Sequence, residues 1–204
     1  MSLPDAVTDS LDRVAGFTAF TTVGALGLTQ DLTHAVLESI GNMEETDPEL
    51  VAEETLTLVA TATARAAEVG LEEEPDHAPT ITETLLALPF TYRDYLIGKA
   101  MVADDDPDLS QMADEVHERL QRKREFYTAH LPERQFPGPH ALGDKMELWM
   151  GRVSPPKLPE TPQERLASLD LVGPTVAHLK LVLAYGRRGA PPVGSNNEAS
   201  DASE

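Results

Sequence analysis

The chain has 204 residues, with 35 acidic against 16 basic residues, a formal net charge of −19 and no cysteine. A hydrophobic fraction of 41% is sufficient for one folded domain, and the lack of cysteine excludes disulfides, thiolate metal sites and cysteine nucleophiles. No run approaches the roughly 20 apolar residues that span a bilayer, and the first residues lack the pattern of a signal peptide. We therefore expect a cytoplasmic protein without membrane insertion.

The charge is divided unevenly along the chain. Residues 1–118 hold 25 acidic and 4 basic residues, whereas residues 119–190 hold 7 acidic and 12 basic residues. An acidic surface repels nucleic acid and favours partners that present Lys or Arg, and an excess of acids is also typical of salt adaptation. Both explanations stay open, and no nucleic-acid partner is expected. The basic run Arg122-Lys123-Arg124 is either a solvated ridge or an internal partner for the acidic half.

Helix starts are clearly marked. Proline at the first helical position, after a capping residue, predicts a helix start at Asp47-Pro48, Asp106-Pro107, Gly138-Pro139 and Thr161-Pro162. Capping boxes are predicted from Thr80 to Glu83 and from Thr161 to Glu164. The alternating stretch Thr55-Leu56-Thr57-Leu58 suits a strand, but it lies inside an Ala-rich run that favours helix.

These patterns predict an all-α, single-domain bundle of six to seven helices. The last predicted helix, which carries Val176, Leu179 and Val182, is apolar nearly all round and is expected at the centre of the core. We assign residues 1–188 to the helical domain. From 189 to 204 the chain is rich in Gly, Pro, Ser, Asn and acids, which predicts a disordered acidic tail.

Motifs for nucleotide binding and for nucleophilic or metalloprotease catalysis are missing, so no cofactor is expected. A carboxylate and a His three residues apart on a bundle helix can bind metal. The pairs with this spacing are Asp31-His34, Glu74-His77 and Asp114-His117. With 35 acids in the chain some such pairs arise by coincidence, and no metal site is expected.

Most aromatic residues fall between Phe90 and Trp149. They predict either the hydrophobic core or, together with Met112, Met146 and Met150, the wall of a groove that accepts an apolar helix or peptide.

The segment Gly70-Leu71 followed by Glu74-Pro75-Asp76-His77 and Glu83 resembles a hallmark of the redox-enzyme maturation chaperones of the TorD, DmsD and NarJ type. Phe126 and His130-Leu131 resemble a second element of that family. The resemblance covers about a quarter of the chain. It implies an all-α fold and no enzymatic activity.

The resemblance also implies a partner, which is the N-terminal segment, often of twin-arginine type, of a molybdenum-containing oxidoreductase catalytic subunit. The chaperone holds this client until its cofactor is inserted, as a monomer or a homodimer. The implied peptide-binding residues are Glu74, Pro75, Asp76, His77, Glu83, Tyr92, Phe126 and His130. Asp76 and His77 equally suit a structural role in a tight loop. The alternative functions are a generic acidic helical adaptor or regulatory protein and, less favoured, a metal-binding enzyme with His and carboxylate ligands.

Overall fold

The computed structural model describes residues 5–40, 46–103, 109–155 and 158–189. These residues form seven α-helices and no β-strand. The helices are α1 (Asp5–Ile40), α2 (Pro48–Gly70), α3 (Ala78–Ala103), α4 (Leu109–His130), α5 (Pro139–Val153), α6 (Pro162–Leu169) and α7 (Val172–Arg188). The all-α class and the helix count predicted from the sequence are therefore confirmed.

Helix α2 lies at the centre of the bundle and contacts α1, α3, α4, α5 and α7. Nearly all its residues from Glu54 to Ala67 are buried, including Thr55, Thr57 and Thr61. Small Ala and Thr side chains let five neighbours approach one helix. The hydroxyls of these three threonines donate to carbonyls of α2 itself, as in the bond of 2.7 Å from Thr61 Oγ1 to Thr57 O. The helix prediction for Thr55 to Leu58 is confirmed.

The prediction that the last helix is central is wrong, since α7 leaves Leu181 45% exposed.

The aromatic and methionine residues divide between the core and the surface. Trp149, Tyr127, Met146 and Met150 are fully buried, so the methionines do not line a groove. Trp149 Nε1 donates to Thr55 Oγ1 at 3.2 Å, which joins α5 to the central helix. The other named methionine, Met112, has a side chain outside the described residues.

Three of the four predicted helix starts are confirmed, with Pro48, Pro139 and Pro162 as first residues. Asp47 accepts a hydrogen bond from Glu49 N at 2.9 Å, and Thr161 with Glu164 forms the predicted capping box. Asp106-Pro107 lies outside the described residues. The capping box predicted at Thr80 is wrong, because α3 begins at Ala78 and Ile81 N already donates to His77 O at 3.3 Å.

Helix α7 ends at Arg188 and is capped by Gly189, whose φ of 67° suits glycine. The tail predicted beyond this point lies outside the described residues. Within the part of the chain that is described, no single helix is long and apolar enough to cross a membrane. Helices α6 and α7 reach that length and composition only as a pair, which is bent by 69°.

Candidate functional site

The loop between α2 and α3 carries the Glu74-Pro75-Asp76-His77 motif and folds as consecutive turns. Glu74 N donates to Leu71 O at 2.8 Å, and His77 N donates to Glu74 O at 3.1 Å. Glu74 also forms an ion pair with Arg13 of α1. Glu74 and His77 therefore face α1 and α7, where they lie beside Phe17 and Tyr185. Asp76 is exposed to solvent.

The opposite side of the same loop forms one wall of an open groove of about 480 Å³, which we call the α2–α3 groove. The groove lies between the end of α2, the start of α3 and the loop that joins α4 to α5. Its lining residues are Arg65, Glu68, Val69, Leu71, Glu72, Pro75, Ala78, Pro79, Thr82, Glu83, Leu86, Glu133 and Arg134. Two of the predicted site residues, Pro75 and Glu83, thus line a common groove.

Glu68 holds the α4–α5 loop against the central helix. Its Oε1 accepts from Arg65 Nη1 at 2.5 Å, and its Oε2 accepts from the backbone N of Arg134 at 2.8 Å. Arg65, whose side chain is 3% exposed, also donates through Nε to Leu131 O at 2.9 Å. Arg134 has a φ of 55°, a region that is costly for a residue with a Cβ. These bonds hold one wall of the groove in position.

Three further carboxylates line the groove. Among the residues that the structure describes, Glu72, Glu83 and Glu133 have no ion-pair partner, whereas Glu68 pairs with Arg65. Glu72 and Glu83 lie on the α3 side, and Glu133 lies on the facing α4–α5 loop. The floor between them is apolar and includes Leu71 and Leu86. The groove lining therefore carries four carboxylates against two arginines, Arg65 and Arg134, which leaves an excess of negative charge beside apolar side chains.

The remaining predicted site residues lie elsewhere. Phe126 and His130 stack with ring centroids 4.2 Å apart, and the guanidinium of Arg152 lies 4.5 Å above the Phe126 ring. Tyr92 is 43% exposed on α3. None of these three predicted residues lines the α2–α3 groove. The sequence analysis did not name Glu72 and Glu133 as site residues, although Glu133 lies only two residues after the His130-Leu131 element.

A buried charge network joins α2 to α4 and α5. Glu54, 4% exposed, accepts hydrogen bonds from Arg152 and from Tyr127 Oη, the latter at 2.8 Å, and lies 3.2 Å from Lys123 Nζ. Burial alone would raise the pKa of Glu54, but the hydrogen bond from Arg152, the charge of Lys123 and the Tyr127 hydroxyl together lower it. Burial also raises the pKa of Tyr127. Lys123 is thus an internal partner for the acidic half, as one of the two sequence alternatives stated, whereas Arg122 is exposed.

The metal alternative receives no support from geometry within the described ranges, where no group of three or more His, Asp or Glu side chains could hold a metal ion. His34 pairs instead with Glu38 at 3.2 Å, and the rings of His117 and Phe90 lie 5.1 Å apart.

A second groove of about 390 Å³ lies between α5 and α6, and we call it the α5–α6 groove. Asp144 and Glu147 of α5 line one wall, and Leu166 and Asp170 lie across from them. It has no part of the Glu-Pro-Asp-His loop in its lining, so it serves below as a control surface.

No protein-family model, curated protein or solved structure matches this chain.

Proposed function

We propose that the protein is a non-enzymatic chaperone that binds, in its α2–α3 groove, the N-terminal segment of a molybdenum-containing oxidoreductase subunit. The observation that carries the proposal is the position of the groove. Three carboxylates without an ion-pair partner among the described residues line it beside apolar side chains, and the loop with the family-like Glu74-Pro75-Asp76-His77 motif forms one wall.

The chemistry of the groove suits a segment with adjacent arginines followed by apolar residues. A guanidinium binds a carboxylate through two parallel, charge-assisted hydrogen bonds, which are stronger than bonds between neutral groups. In an extended segment consecutive side chains point to opposite sides, so two adjacent arginines reach opposite walls. Glu83 on α3 and Glu133 on the α4–α5 loop would receive them, and Leu71 and Leu86 would contact the apolar side chains.

The predicted site residues then have different roles. Pro75 and Glu83 contact the client, whereas Glu74 and His77 shape the loop from its other side through the contacts with α1 and α7. Phe126, His130 and Tyr92 lie outside the groove lining. They contact the client only if its bound segment is long enough to extend beyond the groove.

The groove is tested with a labelled synthetic peptide that carries two adjacent arginines before an apolar run, measured by fluorescence anisotropy. We expect Glu83→Gln and Glu133→Gln each to weaken binding by about 3- to 10-fold, because each removes one charge-assisted bond at a partly exposed site. Replacing both arginines of the peptide by glutamine should have a larger effect. Glu147→Gln in the α5–α6 groove makes the same charge change and should leave the affinity unchanged. If all three variants lost the same affinity, binding would depend on the total negative charge of the protein and not on this groove.

The identity of the client needs a second experiment. The tagged protein is purified from its native cells at their own salt concentration, and the chains that accompany it are identified by mass spectrometry. Recovery of a molybdoenzyme catalytic subunit that is lost when its N-terminal segment is deleted supports the chaperone. Binding that follows the charge of any basic segment, with no preference for the paired arginines, supports the generic acidic adaptor instead.

A further inference from the structure

Thr82 has a buried hydroxyl group without a partner at the α2–α3 groove. The residue lines the groove and is 9% exposed. Its Oγ1 is shielded from solvent and has no hydrogen-bond partner among the residues that the structure describes. A buried polar group normally has at least one such partner, so an exception at the wall of a groove needs a physical reason.

The helix offers Thr82 an internal partner that it does not use. A helical threonine commonly donates to the carbonyl four residues earlier. Thr84, two residues further along α3, does so with a bond of 2.8 Å from Oγ1 to Thr80 O. Thr91, later in the same helix, bonds in the same way to Ala87 O. The missing bond at Thr82 is therefore not a general property of α3.

We propose that the Thr82 hydroxyl is reserved for a hydrogen bond with the main chain of the bound segment, which therefore enters the α2–α3 groove extended. This inference rests on the proposed function, and it makes Thr82 a specificity-determining residue. Threonine in a helix populates two χ1 rotamers, so the hydroxyl can change direction without movement of α3.

The extended conformation follows from the satisfaction of backbone groups. A bound helix has already paired its own N–H and C=O groups and presents only side chains. An extended segment brings unpaired N–H and C=O groups into the groove, and these need partners once water leaves. A hydroxyl can donate to a carbonyl or accept from an N–H, so Thr82 can serve either group.

The test measures binding of the same twin-arginine peptide to Thr82→Val and Thr82→Ser. Thr82→Val replaces the hydroxyl by a methyl group, and we expect about 5- to 10-fold weaker binding with an unchanged or higher melting temperature. Thr82→Ser keeps the hydroxyl and should retain most of the affinity. Thr33→Val is the matched control, because Thr33 Oγ1 is also buried without a partner but lies on α1, outside the groove.

A set of peptides, each N-methylated at one backbone position, locates the partner group. We expect one methylation to weaken binding to the natural protein at least fivefold and to have little further effect on Thr82→Val, whose hydroxyl is already absent. This non-additive loss between the methylation and Thr82→Val identifies the hydrogen bond when the peptide N–H is the partner of Thr82. When the carbonyl is the partner, an ester at one peptide position, which weakens that acceptor, shows the same coupling.

The outcomes separate this inference from the proposed function. If the natural protein does not bind the peptide, the proposed function fails. If it binds, if Glu83→Gln and Glu133→Gln lose affinity, and if Thr82→Val binds equally well, the groove is correct and the role of Thr82 is wrong. A helical signal of the bound peptide in isotope-edited NMR spectra would also overturn the extended conformation. A marked fall in the melting temperature of Thr82→Val would show that the hydroxyl has an internal role.

Discussion

His178 lies where three helices meet, and its surroundings leave no room for a larger neighbour. Its Nε2 lies 3.1 Å from Thr63 Oγ1 of α2, and a Cβ at Gly24 of α1 would come within 2.7 Å of the imidazole Cε1. Burial lowers the pKa of His178 from 6.5 to about 4. The neutral ring is therefore part of the packing between α1, α2 and α7, and a proton on it would have no acidic ion-pair partner among the described residues.

The lowered pKa of His178 predicts a loss of stability in mild acid. Between pH 6.5 and about 4 the unfolded chain binds a proton at this residue that the folded chain does not, so the free energy of unfolding falls as the pH falls through this window. The largest loss of stability that this residue can cause is about 3 kcal/mol, and nearly all of it is reached once the pH has fallen to the folded pKa. Urea denaturation at pH 7 and pH 4.5 measures it.

His178→Gln is the control for this pH effect. The variant cannot take up the proton, so its stability should change less between the two pH values than that of the natural protein. Equal changes in the two proteins would assign the acid sensitivity to the carboxylates instead.

At the scale of the elements, two contacts of α2 determine how the bundle closes. Its last residue, Gly70, meets Gly186 of α7 backbone to backbone, and a Cβ at Gly186 would lie 2.8 Å from the Gly70 carbonyl carbon. Near its first turns, Glu54 binds side chains of α4 and α5. One contact depends on the absence of side chains and the other on opposite charges.

Gly186→Ala tests the close helix contact. Alanine favours a helix by about 1 kcal/mol over glycine, but here its Cβ meets backbone atoms that cannot rotate away, so we expect a net loss of about 1–3 kcal/mol. Gly27 of α1 has no atom within 4 Å of a built Cβ, and Gly27→Ala should instead raise stability by up to about 1 kcal/mol. Thermal and denaturant unfolding would show the opposite signs. Stabilisation by both substitutions would mean that α7 can move away from α2.

Glu54→Ala tests the buried charge network. Removing the carboxylate leaves Lys123, which is 6% exposed, without one of its two acidic partners and removes the acceptor of Tyr127 Oη. Breaking a buried ion pair from one side costs about 3–5 kcal/mol. Glu118→Ala removes one partner of an exposed pair with Arg122 and should cost less than about 0.5 kcal/mol. Similar costs for both variants would show that the network is open to water.

At the scale of the whole molecule, the net charge of −19 has a cost that the structure only partly offsets. The basic residues of the second half reach back to acids of the first half, as in the two hydrogen bonds of Arg119 with Glu53 at 2.7 and 2.8 Å. Many other acids, including the three unpartnered carboxylates of the α2–α3 groove, stay at the surface. Their mutual repulsion favours expanded states, and salt screens it.

We therefore expect added salt to raise the melting temperature. The screening length falls from about 10 Å at 0.1 M to about 3 Å at 1 M, so most of a rise of several degrees should be complete below about 0.5 M NaCl. The same salt should weaken binding of the twin-arginine peptide. Scanning calorimetry with chloride and with sulfate separates screening from general salting-out, because screening depends on ionic strength alone. A melting temperature that does not change with ionic strength would contradict the repulsion.

Much of the fold was predictable from local chemistry. Pro48, Pro139 and Pro162 mark helix starts because proline lacks only an N–H that has no partner there. The Thr80 capping box failed because a capping pattern does not show whether the preceding turn, held by Glu74 O and His77 O, is already helical.

Of the predicted site, Pro75 and Glu83 share a groove, whereas Phe126 and His130 belong to another surface, beside Arg152.

The sequence by itself determined the helical class, three helix starts and the excess of negative charge, because these depend on neighbouring residues or on composition. Only the tertiary structure decided that α2 is the central helix, that Lys123 lies between Glu53 and Glu54, and that Glu83 and Glu133 line one groove. It also decided that Thr82, which lacks a hydrogen-bond partner among the described residues, lines that groove. Contacts between residues far apart in the chain depend on how helices cross, and local periodicity does not contain that information.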